Sequence, residues 1–441
     1  MSQQAPAAIV LSDYVSSLQF EMLPQDVRQT AFLILKDAVA CAAFGARFEW
    51  AQIAAQYVRS LEGKPEVPIF GFDALSAPVP SAAFLFGVMG HAYELDNLRS
   101  PGAGVHPGVT VALPVLAYAL AHPEVTAEDI ITAIVAGCEV MFRIGAATLH
   151  TPEKAGFHAP GLTGAFGAAT AVGKLMGLDA QALRNAYGIS GSVGGGLLAF
   201  TSAGHGGMVK RLHLGRAAEA GIQAAMLAKG GFEGPSNILE GKFGLLDAYC
   251  RSSNPDLLIE GLGDYYEIRN TCFKRFAAHI TAHTPIEGLE AVMMENGLET
   301  KGIDNIVLLV SEKLISHHNN VNPSDLAGAQ YSVPFMVAAS LYVDVRDPRN
   351  IGENLLKDSQ VREMASKISL MPNGQKAGWD CSIVVYGSDG CEYTKDNVTY
   401  SGARSASLAF INEKYDILTA DVPGMSDLNK MLERIASTLS V

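Results

Sequence analysis

The chain has 441 residues, 49% of them hydrophobic and 17% charged, enough apolar surface for two cored domains and globular throughout. A formal net charge of -13 argues against nucleic acid as a partner. The longest apolar runs, near Val109 to Ala121 and Ile130 to Phe142, are interrupted by Pro114 and Glu139 and read as too short to span a bilayer, so no membrane association is expected. No basic residue precedes Arg28, so a secretory leader is not expected. Cysteines at 41, 138, 250, 272, 381 and 391 show no paired spacing and read as reduced thiols of a cytoplasmic protein.

In chain order, residues 24 to 260 are dominated by Ala, Leu, Val and Gly at helical spacing. The pattern predicts helices over Pro24 to Phe44, Trp50 to Leu61, Ala82 to Glu94, Ala127 to Ala146, Leu162 to Met176, Ala180 to Ser190 and Gly215 to Ala228. Small side chains at this density let helix axes approach closely. Composition changes after Tyr266. Strand-like runs at Ile306 to Val310 and Ser382 to Tyr386, a hairpin signal at Asp389-Gly390, and helices near Val333 to Val343 and Ser359 to Ile368 predict a smaller α+β domain. Met425 to Leu439 is again helical, so the fold class is mainly α with a smaller α+β domain.

Three sets of residues carry chemistry. The run Phe273-Lys274-Arg275-Phe276-Ala277-Ala278-His279 places two cations and an imidazole within seven residues of an acidic chain, as a small polycarboxylate would require. An amphipathic segment with a solvated edge is the bland alternative. A second cluster, Gly206-Gly207-Met208-Val209-Lys210-Arg211-Leu212-His213, follows a glycine-dense stretch from Gly191. The sequence turns strongly helical from Leu214, so an anion near that helix start would meet free N–H groups as well as Lys210. Histidines in breaker-rich loops, His106-Pro107-Gly108 and Gly156-Phe157-His158, are the acid/base candidates. Lys210 lacks phosphate-loop spacing, no GxGxxG follows a readable strand, and no HExxH, CxxC or carboxylate triad stands at ligand spacing. No cofactor and no metal site are therefore expected. His317-His318 reads as part of a solvated polar loop.

Together these residues resemble the MmgE/PrpD family, whose members include 2-methylcitrate dehydratase, cis-aconitate decarboxylase and iminodisuccinate epimerase. The resemblance runs from about Leu11 to the end. It rests on Lys36-Asp37-Ala38, the segment from His91 to Pro114, Gly-Phe-His at 156 to 158, Lys-Arg-Leu-His at 210 to 213, Lys-Arg-Phe at 274 to 276 with His279, and Gln330-Tyr331. It implies a helical domain over 1–267, completed by a C-terminal helix at about 402–441, and a small α+β lid domain over 268–401, with the active site in the cleft between them. It also implies a homodimer, for which the apolar helices between residues 109 and 146 offer surplus apolar face. The implied catalytic residues are His106, His158, Lys210, Tyr331 and Asp96; Lys274, His279, Arg275, Glu94 and Arg99 would bind substrate.

One motif departs. Where the family reads H-A-x-D-F-D-D-T, this chain reads His91-Ala92-Tyr93-Glu94-Leu95-Asp96-Asn97-Leu98. Asn97 loses a charge, Leu98 lacks a hydroxyl, and the following loop, Arg99 to Val105, is about one residue longer, so that Arg99 or Ser100 could fill the vacated space. Glu94 and Asp96 would face one pocket only if a helix ended near Tyr93. The implied activity is that of a metal-independent lyase on a small di- or tricarboxylic acid, 2-methylcitrate dehydratase-like or cis-aconitate decarboxylase-like, using His/Lys/Tyr acid-base chemistry. Epimerisation of a dicarboxylate such as iminodisuccinate is the alternative, and a non-catalytic carboxylate-binding protein stands further off.

Overall fold

Alanine-rich helices build the first of two compact units, which comprises residues 1–92, 96–272 and 404–441. The structure is a computed structural model and describes residues 5–101, 104–201, 207–404 and 406–440. The unit's principal helices are α1 (Ala7–Ser17), α2 (Gln25–Gly45), α3 (Glu49–Ser60), α4 (Val79–Gly90), α5 (Leu113–Ala121), α6 (Ala127–Ala147), α7 (Ala159–Leu175), α8 (Ala180–Val193) and α9 (Val209–Lys229). Helices Leu408–Thr419 and Ser426–Leu439 complete it, and a two-residue ladder joins β1 (Leu98–Arg99) to β2 (Thr271–Cys272), Leu98 opposite Cys272. Local chemistry sets several starts. Thr126 and Asp129 form a reciprocal capping box at α6, and Asp179 caps α8 by accepting from the Ala182 N–H.

Two boundaries differ from the sequence pattern in ways that matter below. Helix α4 stops at Gly90, not near Tyr93, because His91 leaves helical geometry and Tyr93–Leu95 join the second unit. Helix α9 begins at Val209, so Lys210 and His213 lie inside its first turns and not in a loop ahead of it. Helix α6 is also longer than its apolar run. At 21 residues it is long and apolar enough to cross a membrane, yet 94% of its apolar window is buried inside the unit. Its Glu139 and Arg143 are buried with it; Arg143 donates to Glu260 O (2.6 Å) and Glu139 accepts from the Ile268 N–H (3.3 Å), tying the 260–268 segment down.

The expected surplus of apolar face between 109 and 146 is absent: those side chains are consumed by the unit's own core. Exposed apolar surface lies elsewhere, in a groove of about 620 Å³ lined by Trp50, Ile53, Tyr57, Val88, Val209 and Leu212.

The crossing of α4 and α9 depends on two glycines. A Cβ on Gly87 would sit 2.7 Å from Gly215 Cα, and one on Gly215 would sit 2.6 Å from Phe84 O. Nothing larger fits, and this contact brings the first turns of α9 towards the end of α4, where His91 stands.

The second unit comprises Tyr93–Leu95 and Phe273–Ala403. Its sheet holds β3 (Ile303–Val310), β4 (Ile368–Pro372), β5 (Cys381–Gly387) and β6 (Glu392–Val398) in the order β4-β3-β5-β6. Strand β3 runs parallel to β4, with Ile306 opposite Ile368, and antiparallel to β5, with Leu308 opposite Ile383. Buried Ile306, Leu308 and Val310 alternate with less buried neighbours, the period-2 pattern of a sheet covered on one face. The β5–β6 hairpin turns at Asp389-Gly390, where Gly390 takes φ 81. Helices α10 (His283–Asn296), α11 (Glu312–His318), α12 (Leu326–Tyr331), α13 (Val333–Ala339) and α14 (Ser359–Ser366) complete the unit. Strand β4 begins at Ile368, the residue at which the sequence pattern ended a helix.

Adding the methyl group in Gly215→Ala should force α4 and α9 apart and lower stability by about 1–3 kcal/mol. Urea denaturation checks this; an unchanged midpoint would mean that the crossing relaxes without cost.

Candidate active site

The first unit gathers four histidines and a lysine. The chain leaves α4 at His91, loops, and returns Asp96 beneath two imidazoles. Nδ1–H of His91 donates to Asp96 Oδ2 at 2.9 Å, and Nδ1–H of His106 donates to the same oxygen at 2.8 Å. The two rings meet edge to face, 4.8 Å between centroids. Asp96 is 1% exposed. Burial opposes its charge, but the His91 and His106 rings outweigh burial and hold the carboxyl well below the usual carboxylate range. Burial, reinforced by the charge of Lys210, pushes His91 down to about 4 despite the adjacent carboxylate. The site is thus an ionised carboxylate shared by imidazoles, with His91 neutral at pH 7.

His158 stands at the start of α7, its ring 6.2 Å from His91. Burial, then the charges of His91 and Lys210, push it down to about 2. Its Nδ1 lies 3.0 Å from Nδ1 of His213, one turn beyond Lys210 on α9. Arg211 turns the other way and donates to Ala92 O at 3.2 Å, pinning the loop after α4.

Asn97, the departed motif position, carries structure. Its amide donates to Asp37 Oδ2 at 2.7 Å, and its Oδ1 accepts from the Gly108 N–H at 2.8 Å, two residues after His106. Asp37 in turn accepts from Lys414 at 2.6 Å, and all three side chains are buried. Burial works against the Lys414 charge, and the Asp37 carboxylate more than restores it. An aspartate at 97 would set two carboxylates against one another where the amide now donates. Arg99 does not fill space beside the histidines: it pairs with Glu267 at 2.8 Å and donates to Pro101 O at 2.8 Å. Gly102 and Ala103 of its loop, like residues 202–206 of the glycine-dense stretch, lie outside the described residues.

The second unit gathers the other candidates. Glu94, held at φ 56, pairs through Oε2 with Lys274 at 3.1 Å, while Oε1 stands 3.5 Å from the Tyr331 hydroxyl. The His279 ring lies 4.8 Å from that of Tyr331 and stacks on His318 at 4.2 Å. Nδ1–H of His318 donates to Tyr331 O at 2.9 Å, so this residue closes a helix against the cluster and is not part of a free loop. Gln330 donates to Tyr93 O (3.3 Å) and Ala277 O (3.0 Å), joining the Tyr93–Leu95 segment to the segment carrying Lys274. The Arg275 charge bears on Glu290 and Asp344. Glu94 and Asp96 therefore serve different clusters, one in each unit.

Residues 10–258 match the MmgE/PrpD N-terminal domain and residues 276–437 the MmgE/PrpD C-terminal domain. The chain belongs to the MmgE/PrpD family. Curated relatives include a cis-aconitate decarboxylase of Aspergillus terreus, 29% identical over 74% of this chain and 70% of its own length. The human cis-aconitate decarboxylase is 27% identical over 88% of this chain and 82% of its own, and that of Mus musculus 26% identical over 85% and 78%.

Three members of these clusters escaped the reading of the MmgE/PrpD motifs as site residues: His91, His213 and His318. His213 was accessible in principle, since it stands three residues after Lys210 and shares its helix face. His91 needed the loop that returns Asp96, and His318 needed the fold. One further set is visible only in three dimensions. Ligand atoms of His91, Asp96 and His106 all lie within 4.8 Å of one another, a group able to hold a metal ion that sequence spacing did not show. Asp96 Oδ1 and His91 Nε2 are buried without a hydrogen-bond partner among the described residues.

The depressed histidines give acid sensitivity a definite sign. His91 and His158 bind protons more weakly in the folded chain than in the unfolded one, so the unfolded state takes up protons first as the pH falls. Their stabilising contribution is whole above about pH 6.5 and is lost progressively below it. Urea midpoints should fall between about pH 7.5 and 5.0, and less steeply in His158→Gln. Equal slopes would show that His158 protonates as readily folded as unfolded.

Proposed function

We propose that this protein is a metal-independent lyase acting on a small di- or tricarboxylic acid, and that acids of the cis-aconitate type are its first candidates. The observation that carries the reading is the Asp96 carboxylate shared by His91 and His106. It fixes a proton on Nδ1 of each ring and so directs proton exchange with a substrate to Nε2. The names of the relatives support a decarboxylase, while the site residues serve dehydration equally.

The chemistry follows from what each bond change needs. When carbon dioxide leaves an acid, its bonding electron pair remains on carbon and spreads into an adjacent conjugated carboxylate. A cation holding that carboxylate stabilises the charge. Lys210, whose charge reaches both His91 and His158, is assigned this role. A proton then quenches the carbanion. His106, 16% exposed at its side chain, and His158 are assigned the proton transfers, and His91 orients Asp96 from its buried side. Within the second unit, taken by itself, Lys274 is assigned to bind a carboxylate in place of Glu94, with Tyr331 beside them as a hydroxyl donor.

The metal-free form of the reading is tested against the alternative that His91, Asp96 and His106 hold an ion. A panel of cis-aconitate, 2-methylcitrate, citrate and iminodisuccinate, followed by proton NMR in excess EDTA, should show turnover of one acid. Loss of that activity on chelation, restored by one divalent ion, would move the chemistry to a metal held by those three residues.

On the acid identified, Asp96→Asn should lower turnover by about a hundredfold or more, and Glu94→Gln by less. Lys210→Met should cost about 2–4 kcal/mol in kcat/KM with folding preserved. Lys274→Met carries a different expectation, because it strands buried Glu94; stability should fall with activity, and adding Glu94→Gln should restore the stability alone. Near-native kinetics in Asp96→Asn and Lys210→Met together would remove the assignment.

The reading includes a homodimer, in keeping with the family. Light scattering at micromolar concentration should give twice the 46.6 kDa chain mass; the monomer mass would refute it.

A further inference from the structure

We propose that His213 is a positioning residue that sets the tautomer of His158, and thereby whether His158 offers a proton donor or an acceptor at Nε2. The inference rests on the assignment of His158 to proton transfer above. Two nitrogens of the same kind, 3.0 Å apart, make a hydrogen bond only when one carries a proton and the other does not. When His213 is protonated, both its nitrogens donate. His158 Nδ1 must then accept, and the His158 proton sits on Nε2. When neutral His213 presents a bare Nδ1, His158 carries its proton on Nδ1 and Nε2 is an acceptor.

The pair is built from three separate segments. His158 donates its backbone N–H to Gly196 O at 3.0 Å. The His213 ring lies against the same glycine, where a Cβ would stand 3.0 Å from Nδ1; Gly196 takes φ 146, which few other residues adopt. Phe200 closes the edge, its ring 5.6 Å from His158 and 5.9 Å from His213. His158 is 8% exposed and His213 more so, which makes His213 the member of the pair in exchange with solvent. From the 156–161 loop the ionisable group facing His213 is His158; the 194–200 segment and helix α4 contribute none, and on its own helix Lys210 and Arg216 stand one turn to either side. Burial lowers the His213 pKa, which keeps the switch on the acid side of neutrality.

The test is nitrogen NMR of the full chain labelled with ¹⁵N-histidine, read across a pH titration. In the native chain the His158 tautomer should change as His213 titrates. In His213→Phe that step should vanish, and in His213→Asn, which returns a hydrogen-bonding atom to the place of Nδ1, one tautomer should again dominate. Gly196→Ala, which displaces the ring without altering His213, should reproduce the Phe result. A His158 tautomer that follows the same course in His213→Phe and Gly196→Ala as in the native chain overturns the proposal. With the acid identified above, His213→Phe should lower kcat about tenfold or more with KM within about threefold, and Asn should recover most of the loss. An unchanged kcat in the Phe variant overturns it equally. If no acid is turned over, the lyase reading falls while the NMR result still decides this one.

Discussion

The Asp96 carboxylate organises the first unit's site. It is buried almost completely, a position in which a lone carboxylate would take up a proton, and it stays ionised because two imidazole N–H groups converge on one of its oxygens. The consequence runs in both directions. Asp96 keeps its charge, and the rings lose their freedom to choose which nitrogen carries the proton. Removing Asp96 would leave both Nδ1–H groups without their acceptor, and removing either ring would leave the carboxylate a single donor, so the cluster is geometrically stiff as well as electrically committed.

The rest of the helical unit reads as support for that arrangement. Helix α4 delivers His91, the glycine contact with α9 sets Lys210 and His213 nearby, and Arg211 pins the loop between. Asn97 hands the loop on to the Lys414–Asp37 pair and to the backbone at Gly108. That chain couples the C-terminal helix Leu408–Thr419 to the turn carrying His106, although they are more than 300 residues apart in sequence (Lys414 and Asp37 are separated by 377). The departure from the family pattern at 97 then has a physical reading. A neutral amide can donate to one neighbour and accept from another, whereas a carboxylate beside Asp37 could only accept and would repel it.

Within a few residues the motif from 91 to 99 distributes its side chains among unrelated tasks. His91 and Asp96 make the imidazole cluster, Glu94 joins Lys274 and Tyr331 in the second unit, Asn97 braces, and Arg99 pairs with Glu267. This explains why it reads as one acidic motif in the sequence and as several structural elements in space. The left-handed backbone at Glu94 and the end of α4 at Gly90 send neighbouring side chains apart.

Sequence by itself determined the helical class of the large unit, the α+β character of the smaller one, and most of the charged and imidazole groups that cluster, because apolar periodicity and cations in an acidic chain are local signals. The hairpin at Asp389-Gly390 and the extent of α6 were legible for the same reason. Tertiary structure alone decided which groups meet. The sharing of Asp96 by two rings, the pairing of His158 with His213, the stacking of His318 on His279 and the diversion of Arg99 to Glu267 join residues up to 168 positions apart, as Arg99 and Glu267 are. His91, Asp96 and His106 share one short stretch, yet only the fold turns both rings onto one oxygen; the other partners share no local stretch, and a histidine that will be buried against a carboxylate has the same local neighbours as one that will not.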